Sequence, residues 1–295
     1  MPKEPTSDVV ATATNSGPEE VVSWLDTFRC PECCRGTLRQ DDAAVVCEEC
    51  DHRYATHDGI LDLAPTSSVP LPRMYDDADF REWNGRLAQI QDYFYESGGL
   101  IHWVQNAGHR VIQRWCRNRP AERTLDLGCG HGAHRPYLDD ATGVIGLDID
   151  QASLRRLREH YPDFFAIRGD AYRLPFADAV FDRIINIYNL EHLVHLDFAL
   201  EEASRVLKPG GEFLVSVPAE GGLAWTTGRR VTSARNFTDD KLDYIRANAI
   251  DHCNCVWQIE KSARRHFDVE RSSYFPMLLP SYHLNLVVTW KLTRR

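Results

Sequence analysis

The feature that most constrains the fold of this chain is an apolar segment that runs directly into three glycines at alternate positions, Leu125-Asp-Leu-Gly-Cys-Gly-His-Gly132. Glycine has no Cβ, so the chain can turn tightly there, and a ligand can lie against the backbone at the carboxyl end of a strand. We predict that a helix begins near His131 and directs its free N–H groups at the same place, which suits a carboxylate or phosphate. The segment therefore outlines a cofactor pocket.

After residue 120, stretches with strand character alternate with helical ones, which is typical of a parallel sheet with crossover helices. The predicted strands are Thr124–Leu127, Val144–Leu147, Phe164–Ile167, Val180–Ile185, Glu212–Val217, Val269–Tyr274 and Leu284–Leu292. The last two have no helix between them, so we expect a hairpin that makes the sheet mixed at one edge. The sequence predicts an α/β fold with a Rossmann-like, doubly wound, mixed sheet.

Two Cys-x-x-Cys pairs, Cys30 with Cys33 and Cys47 with Cys50, are separated by thirteen residues. Each pair can present two thiolates to one side of a turn, and two such turns close a tetrahedral site without an open position. This arrangement favours structural Zn²⁺ over a disulfide pair. The segments between the pairs predict a hairpin, and Cys34 is not expected to be a ligand.

The region around these cysteines, residues 27–66, carries eight Asp or Glu residues against four Arg and no Lys. A ribbon that reads nucleic acid should be basic, so the charge favours a structural role, protein docking, or contact with a substrate that has no phosphate. The run from Cys47 through Tyr54 to the Asp58-Gly-Ile60 tail resembles the small ribbon that activates some tRNA and protein methyltransferases and is fused to others. That resemblance covers about forty residues and implies no particular substrate.

Composition bounds the remaining possibilities. The chain has 295 residues, of which 43% are hydrophobic and 26% charged, and no uncharged run approaches the roughly 20 residues that span a bilayer. The first twenty residues lack the apolar segment of a signal peptide, so we expect a cytoplasmic protein. A net charge of −9 gives no general attraction to nucleic acid or membrane.

We predict a solvated tail at 1–26, a zinc ribbon at 27–66, a linker and helical cap at 67–121, and the main domain at 122–295.

Within the cap, two apolar stripes have helical spacing. The first contains Phe80, Trp83, Leu87, Ile90 and Phe94, and the second contains Ile101, Val104, Val111, Ile112 and Trp115. We expect these stripes to pack on the main domain, and a lid over the substrate is the alternative.

Acidic residues follow successive predicted strands on the side of the glycine turn. Asp148 lies 22 residues after Asp126, at the end of the second strand, where it can accept hydrogen bonds from both hydroxyls of an adenosine ribose and would repel a 2′-phosphate. Asp170 follows the third strand and can accept from an adenine amine, with the Ala171 N–H beside it. A Leu207-Lys-Pro-Gly-Gly211 turn leads into the fifth strand.

With these marks, residues from about 120 to 295 resemble the class I S-adenosylmethionine (SAM)-dependent methyltransferases. Asp126 and the three glycines match that family's first motif, Asp148 its ribose acid and Asp170 its adenine acid. The resemblance implies a seven-stranded sheet with a reversed edge strand and SAM as cofactor. The cofactor-binding set that we assign is Asp126, Gly128, Cys129, Gly130, Gly132, Asp148, Ile149, Asp170, Ala171 and Asn186.

A dinucleotide oxidoreductase is the competing interpretation of the glycine turn. Gly128-Cys-Gly-His-Gly-Ala133 satisfies G-x-G-x-x-G/A, and Asp148 lies at the expected distance. Asp126 before the turn and Asp170 after the third strand favour SAM, because together they suit an adenosine that is held at both ends.

The loop after the fourth strand is expected beside the transferable methyl group. Methyl transfer from a sulfonium is an in-line displacement, so a base is needed only when the acceptor is protonated at neutral pH. His192 is our first candidate base, with Glu191 as its orienting partner, and His252 is the second candidate. Tyr188 and Asn186 are predicted to position the substrate. The alternative for His192 is a structural histidine that is bonded to the backbone.

For the acceptor, we expect a hydroxyl of a small molecule, a sugar or a lipid-linked compound. Residues 218–225 and 251–254 are expected in loops on the cofactor side, where acceptors bind. Together with Arg229, Arg230 and Arg235, they resemble an insert of methyltransferases from bacterial surface-polysaccharide and secondary-metabolite gene clusters. An rRNA or tRNA base methyltransferase is the alternative, but the ribbon is acidic and Asn186-Ile-Tyr-Asn189 replaces an Asn-Pro-Pro-Tyr motif. A third hypothesis is a non-catalytic SAM-binding scaffold that recruits partners through the ribbon.

Overall fold

The computed structural model describes residues 18–41, 44–67, 69–70, 78, 99–117, 119–139, 142–231 and 249–295. The strands are β1 (Leu38–Asp41), β2 (Ala44–Cys47), β3 (Arg53–Tyr54), β4 (Thr56–His57), β5 (Ile60–Asp62), β6 (Thr124–Leu127), β7 (Val144–Asp148), β8 (Ala166–Arg168), β9 (Phe181–Ile187), β10 (Leu207–Pro218), β11 (Phe267–Phe275) and β12 (Val287–Arg294). The α-helices are α1 (Pro18–Trp24), α2 (Gly99–Gln105), α3 (Ala107–Cys116), α4 (Gln151–His160), α5 (Leu196–Val206), α6 (Leu223–Val231) and α7 (Val256–Ala263). None of the helices in these described segments is long and apolar enough to cross a bilayer.

A nine-stranded sheet forms the centre of the molecule, in the order β11-β12-β10-β9-β6-β7-β8-β5-β4. Strands β10, β9, β6, β7 and β8 run parallel to one another, and every residue of β6 is buried because both faces of the sheet are covered. This confirms the predicted α/β fold and places the carboxyl ends of five strands at one edge.

The predicted strands of the main domain are all present, with ends that differ by a few residues. The expected hairpin of β11 and β12 is confirmed, and β12 pairs with β10 in the antiparallel sense. The reversed strand is therefore one place in from the edge, and β11 forms the edge itself.

The helix that we expected near His131 is absent from the described residues after the glycine turn. A single 3₁₀ turn, Arg135–Tyr137, stands in its place and ends at Leu138. Gly132 has a φ of +89°, which lies outside the α-helical region. Pro136 lies in the turn and lacks the N–H that a helix continuing from His131 would need there.

The cysteine ribbon, residues 27–66, is shared between two sheets. Strands β1, β2 and β3 form a small antiparallel sheet, whereas the β4–β5 hairpin joins the large sheet through parallel pairing of Leu61 with Ile167 in β8. The Phe28 ring also lies 5.6 Å from that of Phe176. The predicted domain boundary at residue 66 therefore separates two parts of the sequence that both contribute strands to the large sheet.

A solvated tail was predicted over residues 1–26, and the prediction is wrong for its last part, because residues 18–24 form α1. Trp24 is buried and its ring lies 6.1 Å from that of Phe181, so apolar packing holds this segment on the main domain. In the cap, Val111, Ile112 and Trp115 of α3 pack on the sheet as core residues. The first predicted stripe, Phe80 to Phe94, lies outside the described residues.

Candidate functional site

The glycine turn has the backbone conformation that its sequence predicts. Gly128 has a φ of +76°, and a Cβ there would come within 2.5 Å of the Asn189 side chain. Gly130 has a φ of +52°, and a Cβ there would meet no atom within 4 Å. Glycine is therefore required at Gly128 by close packing, whereas the space over Gly130 is open to a ligand.

Asp148 is held by the turn that it faces. Its Oδ2 accepts a hydrogen bond from the Gly130 N–H at 2.9 Å, and its Oδ1 accepts from the Asp150 N–H at 2.9 Å. Asp126, at the end of the neighbouring strand, is buried. Burial, together with the charge of Asp148, raises the pKa of Asp126 to about 7. The turn is therefore an acidic pocket that suits a cationic group.

The other predicted cofactor residues divide into two groups. The Ile149 side chain is half exposed beside the turn, and Asp170 accepts from the Tyr172 N–H at 2.8 Å. Cys129 and Asn186 face the interior instead, since Cys129 belongs to a buried apolar cluster and Asn186 donates to the Leu127 carbonyl at 2.9 Å. The open space over Gly130 and the three carboxylates fit the adenosine and charged groups of SAM.

His192 belongs to a 3₁₀ turn, Leu190–His192, in the loop after β9. Its Nδ1 lies 3.0 Å from the carbonyl oxygen of Asp251 and 3.1 Å from the Oδ1 of the same residue. Glu191 Oε1 lies 4.0 Å from His192 Nε2, beyond hydrogen-bonding distance. The expected orienting partner, Glu191, is therefore replaced by Asp251.

His252 completes the cluster, which we call the histidine pocket: Glu191, His192, Glu220, Asp251 and His252. The two imidazole rings are 4.7 Å apart and nearly perpendicular. His252 Nδ1 lies 3.2 Å from Glu220 Oε2, and its Nε2 lies 3.8 Å from Asp251 Oδ2. The structure thus brings together both candidate bases that the sequence named.

Asn254 holds the two segments of the histidine pocket together. Its side-chain amide donates to the Leu190 carbonyl at 3.0 Å and to the Leu193 carbonyl at 2.7 Å. Its backbone N–H donates to the Glu191 carbonyl at 3.1 Å. Sequence reasoning assigned no role to Asn254, although the polar run before α7 was a signal that this segment belongs to the site.

Glu220 is placed by a cation on a neighbouring helix. Arg229 of α6 donates to Glu220 Oε1 at 2.7 Å, and the Trp225 indole N–H also donates to this carboxylate. Burial alone would raise the pKa of Glu220, but His252 and Arg229 outweigh it and lower that pKa. Glu220 is thus a carboxylate at neutral pH.

The pKa values of His192 and Glu191 are both raised, but for different reasons. Burial alone would lower the pKa of His192, but the carboxylates of Asp251 and Glu191 raise it to about 9. Burial raises the pKa of Glu191, and within the described part of the chain no donor bonds its Oε2. Burial thus favours the protonated form of Glu191, whereas His192 is a cation at neutral pH.

Tyr188 lies on the other side of the β9 loop from these residues. Its hydroxyl accepts a hydrogen bond from the Gly108 N–H at the start of α3, at 3.3 Å. Its ring is 5.9 Å from that of His109, in an edge-on contact. The structure thus orients Tyr188 through α3 rather than through His192.

The four ribbon cysteines also form a cluster. Cys30 and Cys50 have Sγ atoms 3.7 Å apart, as have Cys33 and Cys47, and all four lie within 4.8 Å of one another. A tetrahedron with Zn–S bonds of about 2.3 Å has edges of roughly 3.8 Å. A Cβ at Gly36 would come within 2.3 Å of Cys47 Sγ, so the backbone wraps closely around the thiols. This cluster fits a closed tetrahedral zinc site.

The glycine turn and the histidine pocket adjoin each other. Asn189, whose side chain packs against Gly128, is three residues before His192. Because β6 and β9 are neighbours in the parallel sheet, both features lie at the same carboxyl edge. The glycine turn and the histidine pocket therefore share one edge of the sheet.

Comparison with known proteins agrees with this arrangement. A family model described as "Methyltransferase domain" matches residues 125–215. A Mycolicibacterium smegmatis protein named "Probable S-adenosylmethionine-dependent methyltransferase" is 39% identical over 119 residues, which cover 40% of this chain and 46% of that protein. A Mycobacterium tuberculosis phthiotriol/phenolphthiotriol dimycocerosates methyltransferase is 36% identical over 129 residues, covering 41% and 48% respectively. The chain spans about half the length of these curated relatives.

Among solved structures, the N-methyltransferase NodS from Bradyrhizobium japonicum, in complex with S-adenosyl-L-homocysteine, superposes with a TM-score of 0.52. The match covers 74% of this chain and 99% of that one, at 13% identity, and it concerns the fold alone. Residues 125–215 therefore match the methyltransferase domain model, and the sheet that contains them has the Rossmann-like methyltransferase fold.

Proposed function

We propose that this protein is a SAM-dependent methyltransferase that methylates a hydroxyl oxygen of a small-molecule, sugar or lipid-linked acceptor. The observation that carries the proposal is the contact of the glycine turn with the loop of His192. This contact places an acidic, open cofactor turn beside a pocket of imidazoles and carboxylates.

The cofactor residues have separate tasks in this proposal. Asp148 binds the ribose hydroxyls, Asp170 and the Ala171 N–H bind the adenine, and Ile149 packs against the ring. Asp126 attracts the charged end of the cofactor. When bound, SAM supplies a methyl group on a positively charged sulfur, and the turn holds that methyl group toward the histidine pocket.

The acceptor is bound and deprotonated in the histidine pocket. His192 and His252 both have Nδ1 near an oxygen atom, so the Nε2 atoms are the ones left to act on the acceptor. His192 is the first candidate for the base, and Asp251 orients it. Because Asp251 and Glu191 raise its pKa to about 9, His192 accepts the acceptor's proton only in its deprotonated form, whose share grows as the pH rises toward 9. The rings exclude water from the line between acceptor and methyl group, which an in-line displacement requires.

A small or lipid-linked acceptor is favoured by two observations. The curated relative from Mycobacterium tuberculosis is named for a lipid substrate, the phthiotriol dimycocerosates. The ribbon is acidic, and a polyanionic RNA would be repelled by such a surface. An rRNA or tRNA base is the second candidate acceptor, and the test of the function includes it.

We further propose that Cys30, Cys33, Cys47 and Cys50 bind one structural Zn²⁺. Their closed arrangement leaves no position for a substrate, so the ion stabilises the ribbon and offers a surface for protein docking. Elemental analysis of the purified chain should give one zinc per chain, and Cys47→Ser should lose it. A zinc content that is unchanged in this variant would contradict the assignment.

The test of the function combines binding and transfer. We expect S-adenosyl-L-homocysteine to bind in a calorimeter, and methyl-labelled SAM to label a compound in a small-molecule or lipid extract but not ribosomal RNA. Labelled RNA alone would overturn the acceptor class. Binding without transfer to any fraction would favour the non-catalytic scaffold, and tight NAD binding without S-adenosyl-L-homocysteine binding would overturn the cofactor.

A further inference from the structure

We propose that His192, Asp251 and His252 bind a divalent transition-metal ion. One ligand atom from each of these residues can be chosen so that all three lie within 4.8 Å of one another. Two imidazoles and one carboxylate form the donor set of sites that hold Fe²⁺ and similar ions and leave other coordination positions open. The ribbon cysteines are a different kind of site, since four thiolates close a tetrahedron.

The tautomers of the two histidines suit this role. The Asp251 carbonyl oxygen can only accept, so the bond of 3.0 Å requires the proton on His192 Nδ1. His252 Nδ1 lies 3.2 Å from an oxygen of the Glu220 carboxylate, so this nitrogen also faces an acceptor and leaves Nε2 directed away from it. Metal-binding histidines have this arrangement, in which the second ring nitrogen faces a carbonyl or carboxylate and the first carries the lone pair.

The distances around Nε2 are those of atoms with space for an ion between them. His252 Nε2 is 3.8 Å from Asp251 Oδ2, and His192 Nε2 is 4.0 Å from Glu191 Oε1. Both distances are too long for a hydrogen bond. The first distance falls within the span of two ligand bonds of roughly 2.0–2.2 Å to one ion shared by His252 and Asp251, and the second places Glu191 beside His192 as a neighbour of the site.

Glu191 supplies a second, independent observation. Its side chain is only 2% exposed, and no donor in the described segments bonds its Oε2. A buried carboxyl oxygen without a donor is costly, and a metal ion bound beside Glu191 would stabilise its ionised form. Arg229 does not fill this role, because it is bonded to Glu220.

The pocket is open to an ion and to a substrate on one side, where 31% of the His192 side chain is exposed. Asp251 and His252 are more deeply placed, with side chains 12% and 17% exposed. An ion held there keeps coordination positions that point outward, toward the side from which an acceptor enters.

This inference deepens the proposed function and rests on it for its catalytic consequence. An acceptor hydroxyl that coordinates the ion has a lowered pKa and releases its proton to water. An oxygen lone pair then forms the new O–CH₃ bond while the C–S bond breaks, and its electron pair remains on sulfur, giving S-adenosyl-L-homocysteine. His192 is then a ligand instead of a free base, and the favoured acceptor is one whose oxygens can reach a metal.

The test is a Co²⁺ titration of the full chain with its zinc content measured before and after. We expect one Co²⁺ to bind per chain while the zinc content stays constant. Asp251→Asn and His252→Ala should each weaken binding by more than the roughly 10–100-fold that loss of an outer partner costs, and Glu220→Gln should fall within that range. Asp163→Asn and His160→Ala, exposed residues outside the pocket, are the matched controls and should bind as the unaltered chain does.

Each outcome decides between the alternatives. No Co²⁺ uptake, uptake only with loss of zinc, or equal uptake by the pocket variants and the controls would overturn the metal site. Circular dichroism shows that a variant is folded, and Asp251→Asn keeps the shape of the side chain. Titration of the same samples with S-adenosyl-L-homocysteine separates the two proposals: cofactor binding without Co²⁺ leaves the methyltransferase with His192 as a free base, and Co²⁺ binding without cofactor binding overturns the proposed function alone.

Discussion

The glycine turn and the histidine pocket lie side by side, yet they are constructed in opposite ways. In the turn, backbone N–H groups bond both oxygens of Asp148, so the binding surface is complete before a ligand arrives. In the pocket, side chains from segments 59 residues apart meet, and Glu191 Oε2 has no donor among the described residues. The turn is thus preorganised by its own backbone, whereas the pocket depends on the packing of two distant segments and keeps one buried carboxyl oxygen without a donor among the described residues.

The largest effect is expected from the residue that orders the turn. Asp148→Ala removes two hydrogen bonds to backbone donors and the proposed ribose acceptor, so we expect at least about a 100-fold loss of S-adenosyl-L-homocysteine affinity and about 2–3 kcal/mol of stability. Calorimetric titration and urea denaturation measure the two quantities. Asp148→Asn keeps one acceptor oxygen and should lose less, and cofactor affinity within about threefold of the unaltered chain would contradict a preorganised turn.

Alanine substitutions at Gly128 and Gly130 test separately the effect of packing on stability and the effect of open space on ligand binding. Gly128→Ala meets the Asn189 side chain at a positive φ, so we expect a loss of about 2–3 kcal/mol in the free energy of unfolding. Gly130→Ala has open space around its Cβ and should lose only about 1 kcal/mol, while its methyl group intrudes on the cofactor and weakens binding. Equal stability losses in the two variants would show that the contact with Asn189 is unimportant.

The histidine pocket is tested through the residue that holds its halves together. Asn254→Ala leaves the Leu190 and Leu193 carbonyls without their donor, so we expect a loss of about 2 kcal/mol in stability. Turnover should fall by at least about tenfold while the affinity for S-adenosyl-L-homocysteine stays the same. Lys261→Ala, an exposed change on α7, is the control. An equal fall in cofactor affinity would mean that the two sites are not separate.

The smallest effect is a pH dependence of cofactor binding. Burial and the Asp148 charge raise the pKa of Asp126 to about 7, so the carboxylate that attracts a cation is mostly protonated at pH 6 and mostly ionised at pH 8. Affinity for the ammonium group of S-adenosyl-L-homocysteine should therefore rise about tenfold from pH 6 to pH 8. Asp126→Asn should flatten this profile, and a profile that is unchanged in the variant would exclude Asp126 as its cause.

The turn was predictable because its determinants are contiguous. Asp126 and the three glycines follow one another, and Asp148 lies at a spacing that the crossover connection fixes. The helix near His131 was predicted wrongly because Gly132 and Pro136 impose a local conformation that the general pattern of such turns does not contain.

The histidine pocket could be predicted only in parts. His192 and His252 stand in polar loops, which the sequence shows, but the bond from His192 to Asp251 depends on the packing of one loop on another. Asn254 makes that packing specific, and nothing in its own neighbourhood reveals which carbonyls it will meet. The same limit applies to β5, a three-residue strand whose partner β8 lies far along the chain.

The pairing of β5 with β8 also determines how long β5 must wait for its partner strand while the chain is synthesised. Asp62 of β5 bonds Arg168 of β8, a residue 106 positions later. At about 5–20 residues per second, the ribosome needs roughly 5–20 s to supply that partner. During this time Ile60, Leu61 and Leu63, all buried in the finished protein, have β4 beside them but lack β8 on the other side. The yield of folded protein therefore depends on how well this short apolar strand is protected from other chains in those seconds.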